Sequence, residues 1–351
     1  MHIGDESTLV LIPAYKPDDR MVALCSELRG AGLSVLVVDD GSGPAFRVFF
    51  DQAQALGCHV ERHAVNLGKG RALKTGINAA MNGCPNLSAL ITADADGQHT
   101  CTDILRIAQA MQEHPDALVM GSRAFTGDVP FKSRAGNAIT RHVYRFVTGI
   151  RCHDTQTGLR GIPASRLGDM LPLPGERYEY EMTMLLKLRD LQMPLIEVPI
   201  ETIYIDDNKG SHFHPLRDAA RIYSVILRFF LSSLISFAVD YLLYLLFISV
   251  LHLQPWIAYA LARAVSSLFN YTINRLAVFG GRGGNLSIVR YYALAITQLA
   301  VGAGLVEFFH SVLGFGAGWI KIPVDMILFL VSYVLQRDFV FRDGVRHNKK
   351  K

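Results

Sequence analysis

The C-terminal part of the chain constrains the whole most strongly. Four apolar stretches run from Ile226 to Leu251, Trp256 to Phe279, Ile288 to Leu313 and Trp319 to Leu335. Each is near the ~20 residues that an α-helix needs to cross a bilayer core. Lipid offers no partner to an exposed backbone N–H or C=O, so such runs are driven to be helical. The links His252 to Pro255 and Gly314 to Gly318 contain no Lys or Arg. By contrast, Arg217, Arg221 and Arg228 precede the first stretch, and Arg275, Arg282 and Arg290 separate the second from the third. Arg337, Arg342, Arg346 and Lys349 to Lys351 lie at or beyond the end of the last. All the basic flanks thus fall on one side, the cytoplasmic one. Trp256 and Trp319 each open a helix at the opposite face, where an indole prefers the interface. The expectation is a multi-pass cell-membrane protein whose first half and C-terminus are cytoplasmic.

This part also repeats itself. Residues 270–279, NYTINRLAVF, align with 332–341, SYVLQRDFVF, and the same 62-residue offset carries Arg228-Phe229-Phe230 onto Arg290-Tyr291-Tyr292. Two helical hairpins in tandem, each returning to its starting side, are parallel repeats about an axis along the membrane normal. The offset also carries Arg263 onto Asp325. A lone charge in a bilayer costs about 2.5–3.5 kcal/mol, so the second and fourth helices are expected to face each other. Arg263 and Asp325 would then pair or share a polar cavity, with Asp240 and Glu307 as further candidates. The four stretches and their Arg-x-x-Val-Phe or Arg-x-Phe-Val-Phe endings resemble the small GtrA-like membrane domain. Just before them, Leu216, Ala219, Ile222 and Tyr223 lie opposite Arg217, Asp218 and Arg221. That arrangement suits a helix lying on the membrane surface or a polar start to the first spanning helix.

Composition shows that the other half is different. Half the residues are hydrophobic and 19% are charged, too apolar for an ordinary soluble enzyme and too polar for a chain wholly in lipid. A net charge of +4 is mild and gives no reason to expect nucleic acid. The five cysteines, Cys25, Cys58, Cys84, Cys101 and Cys152, form no CxxC pair and read as reduced, cytosolic thiols. The N-terminus lacks the basic start and apolar stretch of a signal peptide.

Up to Phe213, short apolar runs alternate with amphipathic stretches. Leu9 to Ile12, Ser34 to Val38, Ala89 to Ala93, Ala117 to Met120 and Leu195 to Ile200 are predicted strands. Asp18 to Leu28 and Thr102 to Glu113 are predicted helices. The alternation predicts an α/β domain with a mainly parallel, doubly wound sheet, whose ligands sit beyond the carboxyl ends of the strands. The expected organisation is 1–213 for this domain, 214–226 for a juxtamembrane segment, 227–341 for an all-α membrane domain of four transmembrane helices and 342–351 for a basic tail.

The strongest chemical signal is TADADGQH, Thr92 to His99, directly after a predicted strand. Asp94 and Asp96 point to the same side of an extended segment. With the Gln98 oxygen they make a hard, partly open site suited to Mg²⁺ or Mn²⁺ on a diphosphate. An isolated DxD is more often a solvated turn; its position and companions favour the site. Those companions are IPAY at Ile12 to Tyr15, VVDDGSG at Val37 to Gly43, NLGKGRALKTG at Asn66 to Gly76 and GSR at Gly121 to Arg123. A phosphate loop of the GxxxxGK[ST] kind is absent in register, which weakens an ATPase reading.

In this order the motifs resemble family 2 glycosyltransferases of the GT-A fold, in the branch of the dolichol- and polyprenyl-phosphate glycosyltransferases. The resemblance covers residues 8 to about 213. It implies that Pro13, Tyr15, Val38, Asp39, Asp40, Lys69, Asp94, Ala95 and Asp96 bind the nucleotide sugar, with Asp94, Asp96 and Gln98 holding the metal. HDTQTGLRG, His153 to Gly161, is similar to the family's acceptor-loop motif, with Asp154, Gln156 and Arg160 matching. YEYE, Tyr178 to Glu181, follows where the family places acids near the sugar, and Glu179 is preferred over Glu181. Both acids also suit a helix start.

A phosphate monoester is already largely ionised near neutral pH, its second pKa being about 6, so such an acceptor needs no general base. Arg123 and Arg134 suit an acceptor-phosphate clamp, with Arg160 as a third member. The expected reaction is inverting transfer of one hexose from a UDP- or GDP-sugar to a polyprenyl phosphate at the cytoplasmic membrane face, with homo-oligomerisation left open. The chain departs from many relatives at Lys16 and Pro17, where they carry Asn and Glu, and at IYIDDNKGSHF, Ile203 to Phe213, where the mannosyltransferases carry Arg before Gly-Glu-Ser-Lys. Two rivals stand beside this reading. A processive polysaccharide synthase normally carries a QxxRW motif that neither tryptophan here fits. A lipid-linked sugar transporter would make the first half regulatory, against the intact Asp94, Asp96 and Gln98.

Overall fold

The computed structural model describes residues 7–123, 131–201, 215–253, 255–284, 286–313 and 317–342, and backbone only at 131–139, 215–223 and some further helical positions. The chain forms two compact units, dividing between Ile222 and Tyr223.

The first unit is built on one seven-stranded sheet. Its strands are β1 (Thr8–Ala14), β2 (Ser34–Asp39), β3 (His59–Arg62), β4 (Ala89–Thr92), β5 (Leu118–Arg123), β6 (Arg160–Pro163) and β7 (Leu195–Ile200), in the order β3-β2-β1-β4-β6-β5-β7. All neighbours are parallel except β6, which runs antiparallel to both β4 and β5. β1 and β2 read almost entirely as Val, Leu and Ile because both their faces are covered, the usual state of parallel strands. One face packs on α1 (Asp19–Gly30), α2 (Arg47–Ala55) and α4 (Cys101–Glu113), where Met21, Leu28, Phe50, Ile104 and Ile107 are fully buried. Against the other lies α3 (Lys69–Gly83), so close that a Cβ at Gly76 would stand 2.2 Å from Leu11 Cδ1. Asp18 and Thr100 cap α1 and α4 through their side-chain oxygens, each satisfying an otherwise orphaned N–H.

Five strands fall where the apolar runs predict them, and two others do not. β3 reads HVER, a polar edge strand paired on one side only. β6 reads RGIP and is held in place by its neighbours β4 and β5. The chain also forms α5 (Phe131–Thr148) between β5 and β6, and α6 (Leu167–Met170) and α7 (Glu179–Lys187) between β6 and β7. The order in which strands are added reverses between β1 and β4, and ligands of such sheets gather outside the carboxyl ends at that point. Asp94 and Asp96 follow β4 there, and Asp39 and Asp40 close β2 beside it.

The second unit is helical: it begins within α8 (Pro215–Ser249) and continues through α9 (Pro255–Ile273), α10 (Ser287–Leu313) and α11 (Ala317–Leu335). The stretch at 215–226 belongs to α8 and so forms the polar start of the first apolar helix. Both α9 and α11 end in a single π-helical turn, at Asn274–Val278 and Gln336–Val340, positions one repeat apart. Repeat-equivalent residues meet. Asn274 Nδ2 donates to Gln336 Oε1 at 3.1 Å, and the rings of Phe279 and Phe341 stack with centroids 4.8 Å apart. The ends of the second and fourth helices therefore face each other about the pseudo-two-fold axis. Among the described residues, Ser224–Ser249 is long and apolar enough to span a bilayer by itself, with a mean hydropathy of 1.9.

Arg263 lies 3.4 Å from Asp240. The side chains of Asp325 and Glu307 fall outside the described residues, as do those of Trp256 and Trp319, the run Ile203 to Phe213 and the basic tail from 343.

Candidate active site

Lys69 is the first residue of α3, and its position is fixed by the loop before it. Asp40 is buried and its carboxylate accepts four hydrogen bonds: from His63 Nδ1 at 2.8 Å, Asn66 Nδ2 at 3.0 Å, Leu67 N at 2.9 Å and Gly68 N at 2.8 Å. His63 is held in turn by Thr75 Oγ1 at 2.9 Å. Gly41 is required here. Its φ is +70°, and a Cβ would stand 2.2 Å from the Val65 carbonyl carbon. Asp40 thus binds the Asn66–Gly68 loop, and Asp39 Oδ1 accepts from Ser42 N at 2.8 Å. Both carboxylates hold loop backbone in the structure, at the positions that the resemblance assigns to the nucleoside. Pro13 ends in β1, Val38 is buried in β2, and Tyr15 is exposed beside Lys16.

At the end of β4, Asp94 Oδ1 lies 2.6 Å from Lys69 Nζ, which also lies 3.1 Å from Glu181 Oε2 on α7. Burial opposes every charge in this cluster, but the two carboxylates outweigh it at Lys69, whose ammonium is held above its ordinary range. Likewise, against burial, the Lys69 charge draws Asp94 down to about 2. Asp96 goes the other way: burial and then the Asp94 charge push its carboxyl up. His99 is buried, and its Nδ1 accepts the Asp94 N–H at 3.0 Å. That bond requires an unprotonated Nδ1, and burial correspondingly lowers the imidazole pKa.

The HDTQTGLRG segment packs beneath this cluster. Thr92 Oγ1 donates to Gly158 O at 2.7 Å, and a Cβ at Gly158 would stand 2.6 Å from Asp94 Oδ2. Asp154, fully buried, receives the Arg123 guanidinium through Nε at 2.7 Å and Nη2 at 3.2 Å, and accepts the Gln156 N–H at 3.0 Å.

Two sequence expectations need correction. Arg160 was expected at the acceptor phosphate, but it is 1% exposed. Its Nε donates to Thr157 O at 3.1 Å and its Nη1 to Glu181 O at 2.6 Å, so it braces α7 against β6 from inside. Of the YEYE acids, Glu181 and not Glu179 reaches Lys69; Glu179 accepts instead from Glu176 N at 3.3 Å, at the start of its helix. Helical spacing places Glu181 on the buried face of α7 with Tyr180 and Met184. His99 was not singled out from the sequence, although it closes the TADADGQH motif. Arg134 lies in α5 with its side chain outside the described residues. Arg123 sits at the carboxyl end of β5, half-buried on Asp154.

A divalent ion would suit this donor set. Burial and, after it, the Asp94 charge disfavour the Asp96 carboxylate, and a dication would offset both. Asp94 and Asp96 supply the hard oxygens such an ion prefers, and Gln98 is half-buried beside them, its N–H on Asp96 Oδ1 at 3.0 Å. Among the described residues, no three His, Cys, Asp or Glu side chains converge into a complete metal cage. An ion bound here would need oxygens from its ligand or from water, the usual state of Mg²⁺ on a diphosphate.

Residues 10–165 match the glycosyl transferase family 2 domain, and residues 228–341 match the GtrA/DPMS transmembrane domain. An uncharacterized protein of Methanocaldococcus jannaschii is 29% identical over 210 residues, covering 58% of this chain and 84% of that one. The UDP-N-acetylglucosamine–dolichyl-phosphate N-acetylglucosaminyltransferase of Methanococcus voltae is 25% identical, over 58% of this chain and 88% of its own. The polyprenol monophosphomannose synthase of Mycolicibacterium smegmatis is 25% identical, over 56% and 77%. The chain joins a domain that matches glycosyl transferase family 2 to one that matches the GtrA/DPMS transmembrane domain.

Proposed function

We propose that the protein transfers one hexose from a nucleotide sugar to a polyprenyl phosphate at the cytoplasmic face of a membrane that its four C-terminal helices span. The observation that carries this reading is the cluster of Asp94, Asp96, Lys69 and Glu181 at the sheet's switch point. The similarity to the Methanococcus dolichyl-phosphate N-acetylglucosaminyltransferase and the Mycolicibacterium polyprenol monophosphomannose synthase supports the acceptor. The Lys and Arg distribution around the apolar stretches supports the orientation.

In this reading Asp94 and Asp96 hold Mg²⁺ or Mn²⁺, which when bound neutralises charge on the departing nucleoside diphosphate. Lys69, at the N-terminus of α3, adds a fixed positive charge where helix N–H groups also favour an anion. Glu181 and Asp94 orient the ammonium. Arg123, braced by Asp154, and Arg134 draw the acceptor phosphate into the same cleft. A phosphate oxygen forms a new bond to the anomeric carbon from the face opposite the leaving group. The old bond breaks with its electron pair passing to the nucleoside diphosphate, so the anomeric centre inverts.

The test is to incubate membranes containing the protein with polyprenyl phosphate and a panel of UDP- and GDP-hexoses. A polyprenyl-phosphate hexose should form, and Asp96→Asn or EDTA should abolish it, the chelator reversibly. A glycan that lengthens processively, or full activity of Asp96→Asn, would overturn the reading.

A further inference from the structure

Among the described residues β7 is an edge strand, paired to β5 alone, and its sequence LIEVPI sets an acid in the middle of an apolar run. Ile196 and Val198 pack against the core of the sheet, so the alternation of a strand turns Glu197 to the opposite face. Glutamate is depleted in strands, which favour β-branched and aromatic side chains. This one has specific partners. Its side chain is 16% exposed; Oε1 accepts from His153 N at 2.8 Å and from Asp154 N at 3.3 Å, and Oε2 lies 2.7 Å from His153 Nδ1. All three contacts fall at the start of the HDTQTGLRG segment. The two N–H groups belong to no helix or strand, and buried backbone donors of that kind need an acceptor from elsewhere.

The same turn leads to the site. Asp154 is fully buried and directs its carboxylate at Arg123, receiving Nε at 2.7 Å, Nη2 at 3.2 Å and the backbone N–H at 3.4 Å. A guanidinium is planar and its fork matches one orientation of a carboxylate, so Asp154 sets the plane of the Arg123 head. In the β5–β7 register Glu197 stands opposite Met120 and Arg123 opposite Ile200. Glu197 is thus three residues, roughly 10 Å along the strands, behind the carboxyl edge where Arg123 sits. It reaches Arg123 only through the turn: Glu197 holds the 153–154 backbone, and that backbone holds the carboxylate that holds the guanidinium.

We propose that Glu197 is a positioning residue for phosphate binding, fixing the 153–154 turn so that Asp154 aims Arg123 at a phosphate monoester. That this monoester is the acceptor lipid of a sugar transfer rests on the reading above; the aiming of Arg123 does not.

The test uses the full chain in nanodiscs and reads two quantities, the affinity for farnesyl phosphate and the KM values of transfer. Glu197→Met keeps the length of the side chain without its acceptors, and Glu197→Asp keeps the charge but falls one methylene short. Each should weaken farnesyl phosphate binding and raise the KM for polyprenyl phosphate about tenfold. The KM for nucleotide sugar should stay within about twofold of the parent. Glu197→Gln keeps an oxygen at the same reach and should restore the phosphate affinity to within about twofold. In an Arg123→Lys background, where the fork is already lost, Glu197→Met should add less than about a twofold effect. Losses that multiply with Arg123→Lys, equal rises in both KM values, or a Gln variant as weak as the Met variant overturn the proposal. So does failure of the Met and Asp variants to fold beside a Gln variant of full affinity, because Glu197 would then serve folding alone. If no UDP- or GDP-hexose yields a lipid product, yet farnesyl phosphate binding is weak in the Met and Asp variants and restored in the Gln variant, the transfer reading fails and the role of Glu197 stands.

Discussion

Lys69 Nζ lies 2.6 Å from Asp94 and 3.1 Å from Glu181, so one ammonium serves two carboxylates from different elements of the sheet's carboxyl edge. The arrangement has a consequence for cation binding, because Lys69 and a divalent ion compete for the same Asp94 oxygen. Unit charges about 4 Å apart interact by about 4 kcal/mol at an effective dielectric of ~20. Lys69→Met should therefore bind Mn²⁺ more tightly in the absence of donor, by up to about a thousandfold. The same variant should lose turnover by about a hundredfold, since a fixed charge on the leaving group is gone. Mn²⁺ titration by electron paramagnetic resonance and initial rates measure the two effects, and weaker Mn²⁺ binding would show that Lys69 supports the ion instead of competing with it.

Much of this architecture was legible in the sequence because its physics is local. The apolar runs of β1, β2 and β4 are strands buried on both faces, and the Asp94-x-Asp96 pair directly follows one of them. Positions that depend on partners were not legible. β3 and β6 carry no apolar periodicity, since one is a polar edge and the other is held by the strands on either side. Glu179 and Glu181 are two residues apart in one motif, and only the packing of α7 decides which reaches Lys69. An arginine also looks the same in sequence whether it meets a ligand or, like Arg160, two buried carbonyls. In the helical unit, the 62-residue repeat correctly brought the ends of α9 and α11 together, while the described partner of Arg263 is Asp240, its neighbour on α8.

Arg123 and Asp154 provide a test of stability. Asp154 is fully buried and receives both Nε and Nη2 of Arg123. Removing one partner of such a pair leaves an uncompensated charge, at a cost of about 3–5 kcal/mol. Arg123→Ala should lower the melting temperature of the first unit by roughly 10 °C. Asp154→Asn in the same background should recover much of that loss, because the stranded charge is then removed. Differential scanning fluorimetry decides it, and additive losses would deny the coupling.

Asp40 separates a structural role from a ligand role. If its work is to hold residues 66–68, Asp40→Ala forfeits four charge-assisted hydrogen bonds, each worth about 1.5–3 kcal/mol. Limited proteolysis should then cut the Val65–Gly68 segment at least about tenfold faster than in the parent, whether or not nucleotide is present. If Asp40 instead acts only through the nucleoside, cleavage without nucleotide should be unchanged and the KM for the donor alone should rise.

Gly158 is the point where the acceptor-loop segment touches the proposed metal site. Its backbone carbonyl accepts from Thr92, and a Cβ there would come within 2.6 Å of Asp94 Oδ2 and 2.9 Å of Oδ1. An alanine cannot be accommodated without moving that carboxylate, and Asp94 is itself tethered by Lys69 on the other side. Gly158→Ala should displace the carboxylate by about 1 Å, a shift that costs on the order of a hundredfold where reacting groups must be aligned. The loss should fall on kcat, with Mn²⁺ affinity weakened and the melting temperature within about 3 °C of the parent. A fall in melting temperature with kcat intact would mean that Gly158 matters for packing alone, and that the segment meets Asp94 without positioning it.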